Sequence, residues 1–333
     1  MRFSEKDIRP EKLMKAVKIF IQNDRKLLLK NKKNFVKVLC PACQSKKEKF
    51  FLKKNGFRYS SCVNCLTSYM NPRPTVKILD HFYKNSKNYR FWNKYIFPAS
   101  EKIRRKKIFK PRVNECIKFC KKYNFKKPSI VDIGAGFGTF CDLLKKSGYF
   151  SKVMAIEPSL EGYLNCKKKK ISVINDVIEN VRFNKMDKFQ VITNFEVIEH
   201  LFSPRDFLLN VRKNLISNGL VIFSCPNGEG FDVTFLGKKS NTIDHEHLNY
   251  FNTHSIKVLL KKSGYRVLEV FTPGKLDLSI IENYINNKSV VIKDPFYQKI
   301  FNKKNQKLKN NFQDFIANNN LSSSMFVVAK KIN

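Results

Sequence analysis

The pattern of hydrophobic and polar positions changes at Pro128. Beyond it, short apolar runs alternate with amphipathic segments, which is typical of parallel strands joined by crossover helices. This pattern predicts strands at 129–133, 152–156, 171–174, 190–193, 219–224, 266–271 and 324–330. It predicts helices at about 138–147, 160–168, 204–215 and 253–263, and a helical insertion at about 278–318. We therefore expect an α/β domain over residues 128–333, built on a doubly wound sheet.

Three shorter segments precede this domain. Residues 1–35 have the pattern of an N-terminal helical segment followed by a Lys- and Asn-rich stretch, and no function follows from them. Residues 36–74 carry four cysteines among short strand-like runs and close on Asn71-Pro-Arg-Pro74, where two prolines stop regular structure. Residues 75–127 are helical and basic, which indicates a helical connector or lid.

The four cysteines of residues 36–74 form two C-x2-C pairs, Cys40/Cys43 and Cys62/Cys65, separated by 18 residues. Each pair predicts a tight knuckle with two thiolates, and two knuckles complete a tetrahedral sulfur site that suits zinc. Protein fills all four ligand positions, so the predicted zinc is structural, and the segment is a small zinc ribbon. The residues between the pairs read as a hairpin around Asn55-Gly56.

Composition adds a strong positive charge. The 333 residues hold 65 Lys and Arg against 27 Asp and Glu, a formal net charge of +38. The excess is mostly Lys, in a chain that is also rich in Asn, Phe and Ile, so an AT-rich coding sequence explains it better than selection for a polyanion partner. No run approaches the roughly 18 apolar residues of a membrane span, and the charged N-terminus argues against a signal peptide. We expect a cytoplasmic protein without a membrane span.

A glycine-rich turn follows the first predicted strand of the α/β domain. Gly134, Gly136 and Gly138 lie between a buried strand and a helix, where they let a nucleotide-type ligand approach the backbone. The third glycine comes one residue earlier than in the dinucleotide fingerprint G-x-G-x-x-G. Asp132 would repel a pyrophosphate but suits a ligand with ammonium and sulfonium charges. Glu157 ends the next strand, where a carboxylate can accept hydrogen bonds from both ribose hydroxyls.

These features resemble class I S-adenosylmethionine-dependent methyltransferases, over about residues 128–270. The resemblance implies S-adenosyl-L-methionine as cofactor and a Rossmann-like sheet of seven mostly parallel strands, in the order 3-2-1-4-5-7-6 with the last strand antiparallel. It further implies that Asp176 meets the adenine amine after the third strand. Asn194 and Phe195, at the end of the fourth strand, are the remaining cofactor residues that it implies.

Two histidines follow the fifth strand, in Asp244-His-Glu-His-Leu-Asn-Tyr-Phe251. Loops at the carboxyl ends of such strands line the ligand crevice, and histidine is the side chain best suited to take a proton near neutral pH. The segment resembles Tyr-x-Glu-His-Leu-x-Tyr-Phe of sugar-nucleotide C-methyltransferases, which also begin with a zinc-binding region. That match implies His247 as general base and Glu246 as its orienting or substrate-contacting partner. His245 is a further catalytic candidate.

The match has two departures and leaves alternatives open. Asp244 stands where that family has its catalytic tyrosine, and the family's large C-terminal domain has no counterpart after Phe271. Carbon, oxygen or nitrogen is therefore open as the methylated atom. His245 and His247 would also be compatible with a metal, but the sequence shows no third ligand, so a base and a hydrogen-bonding neighbour are favoured. His200 is a secondary candidate that would cap a helix or face the methyl donor.

The leading interpretation is methyl transfer to a small-molecule acceptor, a nucleotide- or lipid-linked sugar of surface polysaccharide biosynthesis. One alternative is an RNA methyltransferase that uses the basic ribbon as its nucleic-acid reader; Asn194-Phe-Glu-Val197 argues against methylation of a base amine. A second alternative is a non-catalytic zinc-ribbon interaction protein. The intact glycine turn, Glu157 and Asp176 argue against it. The sequence does not predict the oligomeric state.

Overall fold

The computed structural model describes residues 4–332 of the chain, and its strands form two sheets. No helix within this range is both long enough and apolar enough to cross a lipid bilayer. The strands are β1 (Glu48–Lys54), β2 (Phe57–Cys62), β3 (Ser68–Met70), β4 (Ser129–Ile133), β5 (Lys152–Ile156), β6 (Ser172–Ile174), β7 (Phe189–Phe195), β8 (Leu215–Pro226), β9 (Asn249–Tyr250), β10 (Tyr265–Phe271) and β11 (Ser324–Lys331).

The larger sheet has seven strands in the order β10-β11-β8-β7-β4-β5-β6. Counted along the α/β domain, this is the predicted order 3-2-1-4-5-7-6 read from the opposite edge. β11 runs antiparallel to both β8 and β10, and the other pairs are parallel. The predicted fold class is therefore confirmed, and each predicted strand of this sheet overlaps an observed one.

Helices cover both faces of the larger sheet and precede it in the chain. Two π-helical turns, Trp92–Ile96 and Arg105–Phe109, join the helices on either side of them into one nearly continuous helix over residues 87–122. The helices are α1 (Glu5–Ile8), α2 (Glu11–Leu29), α3 (Val76–Asn85), α4 (Lys87–Phe91), α5 (Phe97–Arg104), α6 (Lys110–Lys122), α7 (Thr139–Lys146), α8 (Leu160–Lys168), α9 (Pro204–Asn214), α10 (Phe231–Leu236), α11 (Thr253–Lys262), α12 (Asp277–Asn286), α13 (Pro295–Phe301) and α14 (Gln306–Asn318).

The central strands are apolar on both faces because helices bury both. In β4, Val131 belongs to one hydrophobic cluster and its neighbour Ile130 to another. Successive residues of a strand point to opposite faces, so the two clusters are the two sides of the sheet. The same alternation places Ile192 of β7 in the first cluster and Val191 in the second. This burial fixes the register of the strands whose ends carry the candidate site.

The smaller sheet has the order β1-β2-β3-β9. Asn55 and Gly56 form the predicted hairpin turn between β1 and β2, with φ values of 51° and 87°. β9 comes from the histidine loop of the α/β domain, and its Tyr250 is paired with Ser68 of β3. A third apolar cluster, which includes Leu28 of α2, Phe57 of β2 and Tyr250, lies against this sheet. The ribbon and the histidine loop thus share both backbone pairing and a core.

Candidate active site

The three glycines lie in the turn between β4 and α7, all with positive φ values of 75°, 52° and 70°. A side chain on Gly134 would meet Val197 Cγ2 at 2.7 Å, and one on Gly138 would meet Cys166 Sγ at 2.9 Å. Gly136 has no atom of the described residues within 4 Å of an added Cβ. Its backbone conformation alone therefore requires glycine, and space remains beside it for a ligand.

Glu157 is joined directly to this turn. The Gly136 N–H donates to Glu157 Oε2 at 2.7 Å, and the backbone N–H of Ser159 donates to Oε1 at 2.9 Å. The Ser159 hydroxyl donates to Oε1 as well. The side chain is only 2% exposed. The structure thus brings together two residues that the sequence analysis assigned separately to the cofactor.

Asp132 lies inside the fold, behind the glycine turn, with 4% of its surface exposed. The Thr193 hydroxyl donates to its Oδ1 at 2.7 Å, and the Cys141 thiol lies 3.8 Å from Oδ2. Burial raises the pKa of Asp132 to about 7. A carboxyl in this position supports the turn from within the core, and its role toward a ligand stays a prediction.

Two other predicted cofactor residues end β7. Asn194 is fully buried, yet neither atom of its side-chain amide has a hydrogen-bond partner among residues 4–332. Buried amides are normally satisfied, so this one points to a ligand. Phe195 packs edge-on against Phe140, with ring centroids 4.9 Å apart, and the Arg112 guanidinium lies 4.7 Å from its ring.

Asp176 lies at the same edge of the sheet, after β6. Its Oδ1 accepts from the Val177 N–H at 2.7 Å and from Asn180 Nδ2 at 2.9 Å. The preceding Asn175 donates through Nδ2 to the carbonyl of Glu157 at 2.9 Å. The ends of β5 and β6 are thereby tied together, with a carboxylate on each.

The connector helices contact the glycine turn. Glu101 of α5 accepts from the Thr139 hydroxyl at 3.0 Å and lies 3.5 Å from Lys169 Nζ. Arg105 pairs with Asp142 of α7. Residues of the connector therefore lie over the start of α7.

The histidine loop is held by Asp244. Its Oδ1 accepts from the backbone N–H groups of Glu246 and His247 at 2.8 and 2.9 Å. The aspartate that replaces the expected tyrosine thus shapes the turn. His247 Nδ1 lies 2.8 Å from the carbonyl oxygen of Thr242, and therefore carries the proton. Burial lowers the pKa of His247, but the carboxylates of Asp244 and Glu199 outweigh this and raise it to about 9.

His200 and Glu199 lie beside His247. The His200 and His247 rings are 4.7 Å apart between centroids, and His200 Nδ1 lies 3.1 Å from the Glu246 carbonyl oxygen. Burial and the neighbouring His247 lower the pKa of His200 to about 3. Glu199 is 1% exposed, and neither carboxylate oxygen is hydrogen-bonded within the described part of the chain. Burial raises the pKa of Glu199 to about 8.

His245 lies deeper in the protein and is 2% exposed. Its ring lies 6.4 Å from that of Phe57 and 5.8 Å from that of Phe82, and neither nitrogen has a hydrogen-bond partner in residues 4–332. Burial lowers the pKa of His245 to about 4, so the ring is neutral. Its Nε2 lies 3.7 Å from Glu246 Oε1.

Glu246 connects the histidine loop to the connector. Its Oε1 accepts from Asn88 Nδ2 at 3.1 Å, and burial raises its pKa to about 7. Asn88 is held in place by Asp24 of α2, which accepts from the backbone N–H groups of Lys87 and Asn88 at 3.1 and 3.2 Å. The N-terminal segment, to which the sequence assigned no role, thus supports the candidate site.

Two tyrosines of the connector lie near the candidate site residues, and sequence reasoning missed both. The buried Tyr83 hydroxyl has no partner within the range that the structure describes, and burial beside Glu246 raises its pKa. Its ring lies 6.2 Å from that of Tyr89. Burial and the nearby Glu157 raise the pKa of Tyr89. Only an amphipathic pattern marks these residues in the sequence, and it carries no signal of a site.

The four cysteines of the ribbon converge as predicted. The Cys40 and Cys65 sulfurs are 3.5 Å apart, the Cys43 and Cys62 sulfurs are 3.4 Å apart, and all four lie within 4.8 Å of one another. Sulfurs around one tetrahedral zinc ion, at about 2.3 Å from it, would be about 3.8 Å apart. The donor set therefore fits zinc with all positions filled by protein.

Arg73 joins the ribbon to the histidine loop. Its fully buried guanidinium donates to the carbonyls of Met70 at 3.1 Å, Phe202 at 3.0 Å and Leu248 at 3.2 Å. The Met70 N–H also donates to the Leu248 carbonyl at 2.9 Å. These bonds fix the residue that follows His247, so the position of the loop depends on the ribbon.

Comparison with known proteins agrees with this geometry. The family described as a methyltransferase domain matches residues 102–270, just over half of the chain. A ubiquinone biosynthesis O-methyltransferase of Rickettsia canadensis is 30% identical over 105 residues, which is 30% of this chain and 44% of the relative. Its mitochondrial counterpart in Candida albicans is 27% identical over 42% of this chain and 47% of the relative. The chain thus spans about half the length of the curated relatives it matches.

Solved structures of two S-adenosylmethionine-dependent methyltransferases are similar at low identity. The Clostridium acetobutylicum protein is 14% identical, with a TM-score of 0.49, and the alignment covers 73% of this chain and 99% of that one. The Mesorhizobium loti protein is 13% identical, with a TM-score of 0.42, over 62% of this chain and 92% of that one. The sheet order and the family match together lead to one conclusion: the chain belongs to the class I S-adenosylmethionine-dependent methyltransferases.

Proposed function

We propose that this protein transfers the methyl group of S-adenosylmethionine to a hydroxyl of a small, polar acceptor bound beside His247. The observation that carries the proposal is a set of five buried polar side chains near the proposed site: Tyr83, Asn88, Asn194, Glu199 and His245. Each of them has at least one polar atom without a hydrogen-bond partner among residues 4–332. Buried polar atoms are rarely left unpaired in the working state of a protein. A ligand rich in hydroxyl groups would satisfy them.

This polarity favours a nucleotide- or lipid-linked sugar as the acceptor. Sugar hydroxyls both donate and accept, and so match a set that includes a hydroxyl, an amide and a carboxylate. The second candidate is a phenolic acceptor, because the curated relatives are named ubiquinone biosynthesis O-methyltransferases. Both candidates place the methyl group on oxygen.

We propose that S-adenosylmethionine binds along the glycine turn, with Glu157 contacting its ribose, Asp176 its adenine and Asn194 its amino-acid end. When bound, its sulfonium would supply an activated methyl group, and S-adenosylhomocysteine would be the leaving thioether. The residues beside His247 would hold the acceptor hydroxyl in line with that methyl group and take the hydroxyl proton.

We propose His247 as the base for this step. In the neutral form of His247, which predominates above its pKa of about 9, the hydrogen bond from Nδ1 to the Thr242 carbonyl leaves Nε2 free to take the acceptor's proton. His245 and Glu246 would contact the acceptor. We further propose structural zinc at Cys40, Cys43, Cys62 and Cys65, where it would hold the ribbon against the histidine loop.

The test combines binding and turnover on the full-length protein. Calorimetry should show S-adenosylmethionine binding to both the wild type and His247→Ala, whereas only the wild type should methylate an acceptor. The exposed His254 supplies the matched control, since His254→Ala should leave turnover unchanged. A panel of nucleotide sugars and phenolic quinone precursors, with tritiated methyl donor, separates the two acceptor classes. No binding of S-adenosylmethionine by folded protein would refute the proposal.

A further inference from the structure

We propose that Glu199, His200 and His247 form a second metal site, distinct from the ribbon, that binds one divalent cation. One ring nitrogen of each histidine and one carboxylate oxygen of Glu199 lie within 4.8 Å of one another. The loop after β7 thus supplies Glu199 and His200 as the further ligands that the sequence did not reveal for His247.

The hydrogen bonds of both histidines are those of metal-binding imidazoles. A histidine that binds a metal usually donates its other ring N–H to a carbonyl or carboxylate, which fixes the ring. His200 Nδ1 lies 3.1 Å from the Glu246 carbonyl oxygen, and His247 Nδ1 lies 2.8 Å from the Thr242 carbonyl oxygen. In their neutral forms, both rings therefore carry the proton on Nδ1 and present the lone pair of Nε2. Two independent backbone carbonyls orient the pair.

Glu199 supplies the observation that points to a cation. Its carboxyl group is almost fully buried, and within the described residues neither oxygen accepts a hydrogen bond. A buried carboxylate without hydrogen bonds is costly unless a proton neutralises it, a cationic group pairs with it or a metal binds it. Its nearest basic atom is His200 Nε2, at 3.9 Å from Oε1. The nearby Glu196 is engaged elsewhere, with Arg112 and the Ser224 hydroxyl.

The distances require a modest adjustment on binding. Two ligand atoms of one ion, each about 2.1 Å from it, lie roughly 3.0 to 3.4 Å apart. Small rotations of the three side chains would close the gap. Two imidazoles and one carboxylate suit Mn²⁺, Fe²⁺, Co²⁺ or Zn²⁺, and three protein ligands leave open positions.

A neighbouring group, Asp24, His245 and Glu246, has a similar composition but a different environment. Asp24 is already the hydrogen-bond acceptor that caps α4, through the Ser86 hydroxyl and the N–H groups of Lys87 and Asn88. Glu246 accepts from Asn88. Both carboxylates of this group, those of Asp24 and Glu246, thus already accept hydrogen bonds, whereas the Glu199 carboxylate accepts none among the described residues. This contrast favours the Glu199 group as the metal site.

The inference rests on the proposed function and changes one role within it. An acceptor hydroxyl would be the natural ligand for an open position, and a bound cation lowers the pKa of such a group. His247 would then hold the cation in place of taking the proton, which would leave to solvent. The cation site and the methyl transfer are nevertheless separate properties that can fail independently.

Titration of the zinc-loaded, full-length protein with Mn²⁺ tests the site, because Mn²⁺ prefers nitrogen and oxygen ligands to the thiolates of the ribbon. Free Mn²⁺ gives a six-line electron paramagnetic resonance signal that is lost on binding. We expect one bound Mn²⁺ per chain, and at least about 10-fold weaker binding in Glu199→Gln, His200→Ala and His247→Ala. His254→Ala should bind as the wild type does. Elemental analysis should show one retained zinc throughout.

The outcomes separate the two proposals. Wild-type protein that binds no Mn²⁺, or binds it equally well after Glu199→Gln, overturns the metal site whether or not methyl transfer is found. Mn²⁺ bound through these residues, in a protein that methylates no acceptor, supports the site and counts against the proposed function. Unchanged S-adenosylmethionine affinity in Glu199→Gln shows that the variant is folded, so that lost Mn²⁺ binding reports the missing ligand.

Discussion

The backbone N–H of Gly136 donates a 2.7 Å hydrogen bond to the Glu157 carboxylate, so the middle of the glycine turn is tied to the end of the neighbouring strand. One carboxylate therefore holds the turn, and in the proposed function it also accepts hydrogen bonds from the cofactor ribose. The Glu157→Ala substitution removes both the hydrogen bond to the turn and the acceptor oxygens proposed for the ribose. We expect the dissociation constant for S-adenosylmethionine to rise about 10- to 100-fold, because hydrogen bonds to charged groups contribute about 1.5–3 kcal/mol.

Calorimetry of Glu157→Ala beside Glu161→Ala checks this prediction. Glu161 is exposed in the first turn of α8, so its loss removes the same charge close by without touching the glycine turn. Equal affinities in the two variants would show that Glu157 does not hold the cofactor.

The pH dependence of turnover should report His247. Its neutral form, which can accept a proton, predominates above its pKa of about 9, so the rate should rise between pH 7 and pH 9. Asp244→Asn keeps an oxygen to accept from the two backbone N–H groups but removes the charge that stabilises protonated His247. The rising limb should therefore move to lower pH. Glu199, Glu246 and His200 also face this ring and remain unchanged in the variant.

Initial rates from pH 6 to 10 at saturating S-adenosylmethionine give this profile. If the rising limb of the pH–rate profile lies at the same pH in Asp244→Asn as in the wild type, the result would contradict the role of His247 as base and would favour its role as a cation ligand.

His245 should make the fold sensitive to acid. Its pKa is about 4 in the folded protein, against 6.5 in an unfolded chain, so the unfolded state binds the proton more readily between these values. Stability is then fully present above pH 6.5 and is lost as the pH falls toward 4. Through this one ring, the free energy of unfolding should fall by about 2 kcal/mol between pH 7.5 and pH 5.

His245→Phe removes the titrating group and keeps an aromatic ring between Phe57 and Phe82. Urea unfolding at both pH values should show a smaller loss of stability on acidification in the variant than in the wild type. His254→Ala, which lacks an exposed histidine, should lose as much as the wild type does. An equal acid loss in His245→Phe would show that His245 is not the source.

Arg73 should couple the ribbon to the histidine loop. Arg73→Ala removes donors to three buried backbone carbonyls, of which that of Leu248 keeps the Met70 N–H, and each carbonyl left unsatisfied costs about 1–3 kcal/mol. We expect faster hydrogen exchange at the Met70 amide, which donates to Leu248, and a loss of turnover with little change in S-adenosylmethionine affinity. Removal of zinc from the four cysteines should have the same effect.

Exchange at the Gly134 amide, which donates to the Ile156 carbonyl of β5 in the larger sheet, is the internal reference. If the Met70 amide exchanges as slowly in Arg73→Ala as in the wild type while turnover falls, Arg73 does not act through the hydrogen bond between Met70 and Leu248.

The sequence predicted the larger sheet well because burial imposes a period. Strands such as β4 and β7 are buried along most of their length and mainly apolar, and glycine or polar turns mark where they end. The predicted cofactor residues lie at or near those ends. The cysteine pairs were predictable for a similar reason, since each pair is local and its spacing alone defines the knuckle.

Partnerships between distant segments were not predictable in this way. Tyr83, Asn88 and Asp24 reach the histidine loop from helices whose sequence shows only an amphipathic pattern. β9 is two residues long and gains its partner only from the ribbon. Glu199 directly precedes His200, a secondary candidate in the sequence, but its burial without a hydrogen-bond partner among the described residues is visible only in three dimensions.

The pairing of β3 with β9 also sets an order of events during protein synthesis. Both cysteine pairs and β3 leave the ribosome well before Asn249 and Tyr250, and N-terminal units generally fold first. Until then, Met70 lacks the Leu248 and Tyr250 side chains that share its cluster, and the edge of β3 has no neighbour. A nascent chain therefore completes its knuckles while the loop that will close their sheet, and carry His247, has still to be made.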